Sequence, residues 1–294
     1  MTVSQRAHWL PVASLLFSAT LWGLLWWPLR WLQAHGLQGL WSTFIIFGIP
    51  MCLGLPYLVS RRREVMAYPG LLSIVALANG WCNTAFILSV LEGNVVRVLL
   101  LFYLSPLWAV LLAKLILGEA LGLHGRATLV LAMIGAALML WDPTLDIPWP
   151  RDAADWLAIS SGFAFALSNV YVRRLQDVSV ATKTMVSLCG VTAVAVLSIV
   201  VMAPAAPPLS AAPLAGAAAL GVCGITVMTL LVQYGVTHMP IHRSAVILLF
   251  ELVAGTVSSQ LLTDEVVSAR EWLGGVLIIS AAWFAAHAQL RQAG

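Results

Sequence analysis

Ten stretches of roughly 20 mostly apolar residues follow one another with little between them, and that spacing decides what the chain can fold into. Their approximate cores are 9–31, 38–60, 70–91, 95–117, 123–141, 153–172, 181–203, 212–236, 242–263 and 270–290. Hydrocarbon offers no hydrogen bonds, so a backbone amide left unpaired there is costly. Each stretch is therefore predicted to be a helix that satisfies its own backbone. Composition argues against a soluble core, because 61% hydrophobic and 9% charged residues leave too little polar surface to cover 294 residues. The longest connections, DPTLDIPWPRD after Trp141 and PAAPPLS after Ala203, are too short to hold a further domain.

The chain also repeats itself. YLSPLWAVLLAKLILGE (Tyr103 to Glu119) has a counterpart 146 positions later in LFELVAGTVSSQLLTDE (Leu249 to Glu265), and the same offset carries Arg97 onto Arg243 and Trp22 onto Ser168. The predicted fold is an all-α integral membrane protein of ten transmembrane helices in two five-helix repeats, residues 1–146 and 147–294. Basic residues are retained on the cytoplasmic side of a membrane. With the N-terminus inside, every Lys and Arg except Arg30, Arg97, Arg151 and Arg270 lies at a cytoplasmic end. Both termini are then expected in the cytoplasm. An odd number of helices per repeat turns the second repeat upside down relative to the first, an arrangement frequent among transporters.

The first helix is too long for a removable signal peptide and lacks a small-residue cleavage site, so it is expected to be a permanent span. Cys52, Cys82, Cys189 and Cys223 lie inside predicted helices without CxxC pairs or neighbouring His, which predicts buried free thiols, no disulfide framework and no metal site. The net charge of +3 follows from the cytoplasmic basic bias and gives no reason to expect a nucleic-acid partner.

Ionisable and polar groups at membrane depth are the candidate functional residues. Glu251 stands about nine residues into a span of about 22, close to the bilayer centre. It is suited to receive an ammonium group or to carry a coupling proton, and equally to bridge helices as a structural hydrogen-bonding group. Arg97 and Arg243 sit near opposite faces, where each can snorkel to the interface or pair with an acidic group across a closed gate. Glu119 and Glu265, at helix ends, suit structural acceptance from the amides that open the next helix. Asn79 and Asn83 are four apart and share a helix face, either for interhelical hydrogen bonding or for lining a cavity. Ser168 and Tyr234 pose the same alternatives. Trp22, four residues from Trp26 and away from the interfacial belt, either packs between helices or lines a cavity with Tyr103 across from it. Pro106, near mid-membrane, is the expected hinge.

LLFSATLWG, YLSPLWAVLLAKLILGE, GFAFALSNVYVRR and FELVAGTVSSQLLTDE together resemble the paired helices of the drug/metabolite transporter superfamily, EamA type, over nearly the whole chain. Pro106, Gly118 and Glu119 match the family's Pro and Gly-Glu, while Leu252 and Asp264 replace the second copy's Pro and Gly. VVRVLLLFYLSPLW and the Trp-rich first helix resemble its YddG-type aromatic amino-acid exporter branch. The resemblance implies a carrier of the bacterial inner membrane, with helices one, three, four, six, eight and nine around a central cavity. It implies a small-molecule substrate, an amino acid or related metabolite, and no cofactor; the chain would act as a monomer or a dimer in the lipid bilayer.

Residue types separate the function classes. No GxxxxGK[ST] loop offers a site for ATP, which leaves a secondary transporter working by alternating access as the expected activity. Amino acids, above all aromatic or hydrophobic ones, are the expected substrates, with efflux of organic cations or drugs as the alternative. An intramembrane enzyme would need a catalytic constellation such as GxSxG or HExxH, and a channel a filter loop; neither is found.

Overall fold

The computed structural model describes residues 3–141, 150–208, 210–263 and 267–291, except the side chains of 3–8 and 289–291. Asp264 and Glu265 lie outside the described residues. Among them there is no strand, and the chain forms long helices joined by short turns. We label these α1 (Val3–Leu24, resuming as Trp26–Ala34), α2 (Gly39–Ser60), α3 (Pro69–Glu92), α4 (Val95–Phe102 and Ser105–Leu112, with a π-helical turn Ala113–Leu117), α5 (Leu123–Leu140), α6 (Ala153–Arg174), α7 (Val180–Met202), α8 (Ala211–Ala219, a π-helical turn Leu220–Ile225, and Thr226–His238), α9 (Ile241–Leu248 and Phe250–Leu262) and α10 (Ala269–Arg291). Among the described residues nine of these are long and apolar enough to cross a membrane. The exception is α6, 22 residues long, which carries Asp155, Arg173 and Arg174 at its ends.

Prolines explain two of the interruptions. Proline lacks an amide hydrogen and crowds the carbonyl four residues back. Pro28 leaves Leu24 and Pro106 leaves Phe102 in that position, and these are the residues at which the first segments of α1 and α4 stop. In α9 Leu252 replaces the proline, yet the helix is interrupted at Leu249 all the same; there the Leu252 amide bonds back only three residues, to Leu249 O. The segments Val95–Phe102 and Ile241–Leu248 stand 146 residues apart at both ends.

Freed carbonyls are covered by glycines from other helices. A Cβ on Gly162 of α6 would stand 2.5 Å from Phe102 O, and one on Gly221 of α8 would collide with Ile46 O, the carbonyl released by Pro50. Only a glycine permits these approaches, and close packing through small residues is how helices associate where lipid removes the hydrophobic drive.

The connections alternate between two ends of the bundle. At one end, here the basic end, Glu64 in the short helix Arg62–Ala67 reaches Ser179, Tyr68 donates to Asp177 and Glu119 meets Arg173. At the opposite end Arg97 meets Asp155, Arg270 donates to Trp141 O, and Trp41 donates to Pro204 O. Helix neighbours fall into matching pairs: α3 with α6 and α1 with α8, α3 with α7 and α2 with α8, α4 with α6 and α1 with α9, α4 with α5 and α9 with α10. The contacts α2 with α7 and α5 with α10 are their own counterparts.

Candidate functional site: a cavity around Glu251

Between α1, α4 and α9 lies a cavity of about 530 Å³. The Glu251 carboxyl, half-buried, faces it just past the interruption of α9, with the Tyr103 hydroxyl from the interruption of α4 as its hydrogen-bonding neighbour. Trp22 and Trp26 supply its aromatic side and Thr256 and Ser259 its hydroxyls. Trp26 is held by its indole N–H, which donates to Ser258 Oγ on α9 at 2.9 Å. Gly23 brings α1 against α9 at the carboxylate, since a Cβ there would stand 2.6 Å from Glu251 O.

Towards the opposite end the cavity reaches Leu140, Val267 and Glu271, and it adjoins a second space of about 370 Å³ that shares Leu140, Leu252, Thr256 and Glu271 and adds Arg270. Glu271 also acts locally, because its carboxylate accepts from the Ser268 amide and hydroxyl, both at 2.7 Å, and so caps α10. Among the described residues the larger space is thus lined by two carboxylates and no basic side chain, and its walls come from α1, α4, α5, α9 and the start of α10. Of the six helices that the resemblance places around a cavity, three contribute here; α3, α6 and α8 do not.

Sequence reasoning singles out seven substrate-site candidates, and the structure brings Trp22, Tyr103 and Glu251 onto one cavity. Asn79 lies elsewhere. Its amide donates to Ser168 Oγ at 2.5 Å and Ser187 Oγ at 3.1 Å, and Gln233 donates to the same Ser187 at 2.9 Å, so α3, α6, α7 and α8 are tied by one polar cluster. Ser168 is 2% exposed within that cluster. The Asn83 amide bonds the Asn79 carbonyl one turn back, and Tyr234 packs on His238 with ring centroids 4.3 Å apart. None of these four lines the cavity.

The charged candidates close the two ends. Arg97 is buried and pairs through Nε with both oxygens of Asp155, at 2.8 and 2.7 Å. Pairing, and not snorkelling, is therefore the state of Arg97. Sequence reasoning misses Asp155, although DAAD at the start of a span is a capping signal, and Asp152 does accept from the Asp155 amide. Arg243 is buried at the basic end. Glu119 does accept from an amide that opens a helix, but the helix is α9 and not the next one: Ile241 N donates at 2.9 Å, while Arg173 Nε meets the other oxygen at 3.2 Å. Pro106 is the second residue of the second segment of α4, beside the interruption.

Lys183, by sequence one more basic residue at a cytoplasmic helix end, is fully buried. Its ammonium donates to Thr237 Oγ1 at 2.7 Å, Leu175 O at 2.9 Å and Val172 O at 3.3 Å. Arg173 and Gln176 both donate to the Thr237 carbonyl, at 2.5 and 3.0 Å. Together with the 0% exposed Val12, Leu15, Val172, Val236 and Met239, these bonds seal the basic end. Just outside it, burial pushes the Glu64 carboxyl up, but the Ser179 amide, the Thr182 and Ser179 hydroxyls and the charge of Arg61 outweigh that and hold it below the usual carboxylate range.

Residues 152–286 match the family model of the EamA-like transporter family. The second half of the chain is thus similar to that family. No curated protein matches it closely enough to be informative. A solved structure described only as "Crystal structure of protein" shares 17% identity with this chain, covering 94% of it and 95% of that one with a TM-score of 0.75. That likeness shows the fold.

Proposed function

We propose that the chain is a secondary carrier of two inverted five-helix repeats, exporting small solutes that bear an ammonium group on an aromatic or apolar body. The observation that carries this is one carboxylate, Glu251, set among Trp22, Trp26 and Tyr103 in a cavity while the basic end is sealed. A charged ammonium needs a partner at membrane depth, and aromatic faces attract both the cation and the apolar body. The matched helix neighbours and the 146-residue spacing of the two interrupted segments support the inverted repeat. With both termini in the cytoplasm of a bacterial cell, as the charge bias favours, the cavity faces outward.

Hydrophobic amino acids and organic cations both offer an ammonium and differ in the carboxylate. The engagement of Asn79 and Asn83 in helix contacts, and the two carboxylates of the larger space, favour cations without a carboxylate. Arg270 in the adjoining space favours the amino acid. Flux of labelled phenethylamine and phenylalanine into proteoliposomes, with and without a pH gradient, separates the two. A hydrogen bond to a charged group contributes about 1.5–3 kcal/mol, so Glu251→Gln should lower transport of either by roughly ten- to a hundredfold. Unchanged flux from correctly folded Glu251→Gln protein would remove Glu251 from the site.

A further inference from the structure

Resting on the inverted-repeat carrier proposed above, we infer that the second access pathway, the one leading to the basic end, is formed by Ser168 and Val172 of α6, Ser105, Ala109 and Ala113 of α4, and Leu249 of α9. If two repeats related by an inverted symmetry exchange conformations, each residue takes the setting that its counterpart has now. The offset of 146 carries Trp22 to Ser168, Trp26 to Val172, Tyr103 to Leu249, Glu251 to Ser105, Gly255 to Ala109 and Ser259 to Ala113. The first member of each pair lines the present cavity, and five of those six are partly exposed. These six counterparts are buried, Ser168 2%, Val172 0%, Leu249 2%, Ser105 4%, Ala109 3% and Ala113 2%, whereas Asn169, Ala245 and Val110, the counterparts of Gly23, Leu99 and Thr256, are partly exposed.

The bonds that hold these residues shut are few and local. Ser168 is held by Asn79 and the Val172 carbonyl by Lys183, and next to Val172 Arg173 is held by Glu119 and Thr237. Opening this end exposes a wall unlike the present one. Two tryptophans and a carboxylate give way to serines, alanines and a valine, so a cationic aromatic solute meets its aromatic partners on one side of the membrane only. The second pathway is a small, neutral passage, and the recognition chemistry belongs to the first.

Thiol accessibility tests this in reconstituted carrier whose four cysteines have been replaced. Val172→Cys and Ala113→Cys should react with an impermeant maleimide from the basic end only, roughly tenfold or more faster than Ala132→Cys, which is equally buried but lies between α5 and α10, because local opening is available to the former alone. A disulfide between Glu119→Cys and Ile241→Cys should abolish that reaction, and reduction should restore it. Labelling of Val172→Cys no faster than Ala132→Cys, or persisting in the locked protein, overturns the pathway. Labelling requires no substrate, so the two readings fail separately. Reactive Val172→Cys without amine flux removes the substrate reading and leaves the pathway, and amine flux with unreactive Val172→Cys does the reverse.

Discussion

Asn79 and Glu251 are both polar groups at membrane depth, and what separates them is what stands opposite. Asn79 meets two serine hydroxyls on neighbouring helices, whereas Glu251 meets one tyrosine hydroxyl and open space. Asn79→Ala is therefore expected to act on stability. Interhelical hydrogen bonds in membranes contribute about 0.6 kcal/mol each, so loss of the bonds to Ser168 and Ser187 should cost on the order of 1 kcal/mol and change the substrate KM by no more than the few-fold that releasing Ser168 at the basic end would give. Thermal unfolding in detergent and a flux titration would check both; a large rise in KM at unaltered stability would contradict the assignment. Arg97 behaves differently because its partner is charged and buried. Arg97→Leu should cost about 3–5 kcal/mol, since it leaves Asp155, whose side chain is 3% exposed, without the Arg97 guanidinium and with the Arg151 amide still donating to it. The readout is yield of folded protein, with the double variant Arg97→Leu, Asp155→Leu expected to recover much of the loss.

At the scale of the element, the interruption of α4 has two ingredients that substitution can separate. Pro106 removes a donor, and Gly162 occupies the space in front of the carbonyl left free. Pro106→Ala restores a donor, and the α9 interruption at Leu249 exists with Leu252 in place of proline, so this change should be tolerated with little loss of stability. Gly162→Ala has no such escape, because its Cβ meets backbone of another helix. It should cost about 1–3 kcal/mol, the ordinary penalty of overpacking, measured as a fall in Tm. A larger loss from Pro106→Ala than from Gly162→Ala would show that the missing donor, and not the close approach, holds the two helices in register.

At the scale of the whole molecule the two halves are joined at the basic end through Glu64, which belongs to the first half and caps α7 of the second by accepting from the Ser179 amide and the Thr182 hydroxyl. A carboxyl whose folded pKa is depressed contributes stability that is present above its unfolded pKa and lost as pH falls through the folded one. Unfolding of the carrier in detergent should therefore become easier as pH drops below the ordinary carboxylate value of 4.5, and Glu64→Gln should flatten that part of the profile. A profile identical in both proteins would assign the acid sensitivity elsewhere. Orientation is tested at the same scale. A cysteine at Gln176 should react with an impermeant reagent only from the cytoplasm and one at Pro207 only from outside; labelling of Gln176→Cys from outside would overturn the inverted arrangement.

The sequence alone was enough to read long helices and the likeness of their sequences across the 146-residue offset, because hydrocarbon forces every span to satisfy its own backbone and leaves no other solution. It also singled out Glu251, since a carboxylate in mid-span is conspicuous by position. What it left open is which polar side chains face one another. Asn79 and Asn83 carry the same spacing signal whether they look into a cavity or into a neighbouring helix, and Lys183 reads as an ordinary basic residue at a helix end until Thr237 and the carbonyls of Val172 and Leu175 are found around it. Asp155 and Arg97 are 58 positions apart, and no periodicity links them. Burial on one face of a helix depends on how that helix is rotated against its neighbours, and in a membrane both faces are apolar. Rotation is therefore set by close packing and by buried hydrogen bonds between distant residues, which only the tertiary structure brings together.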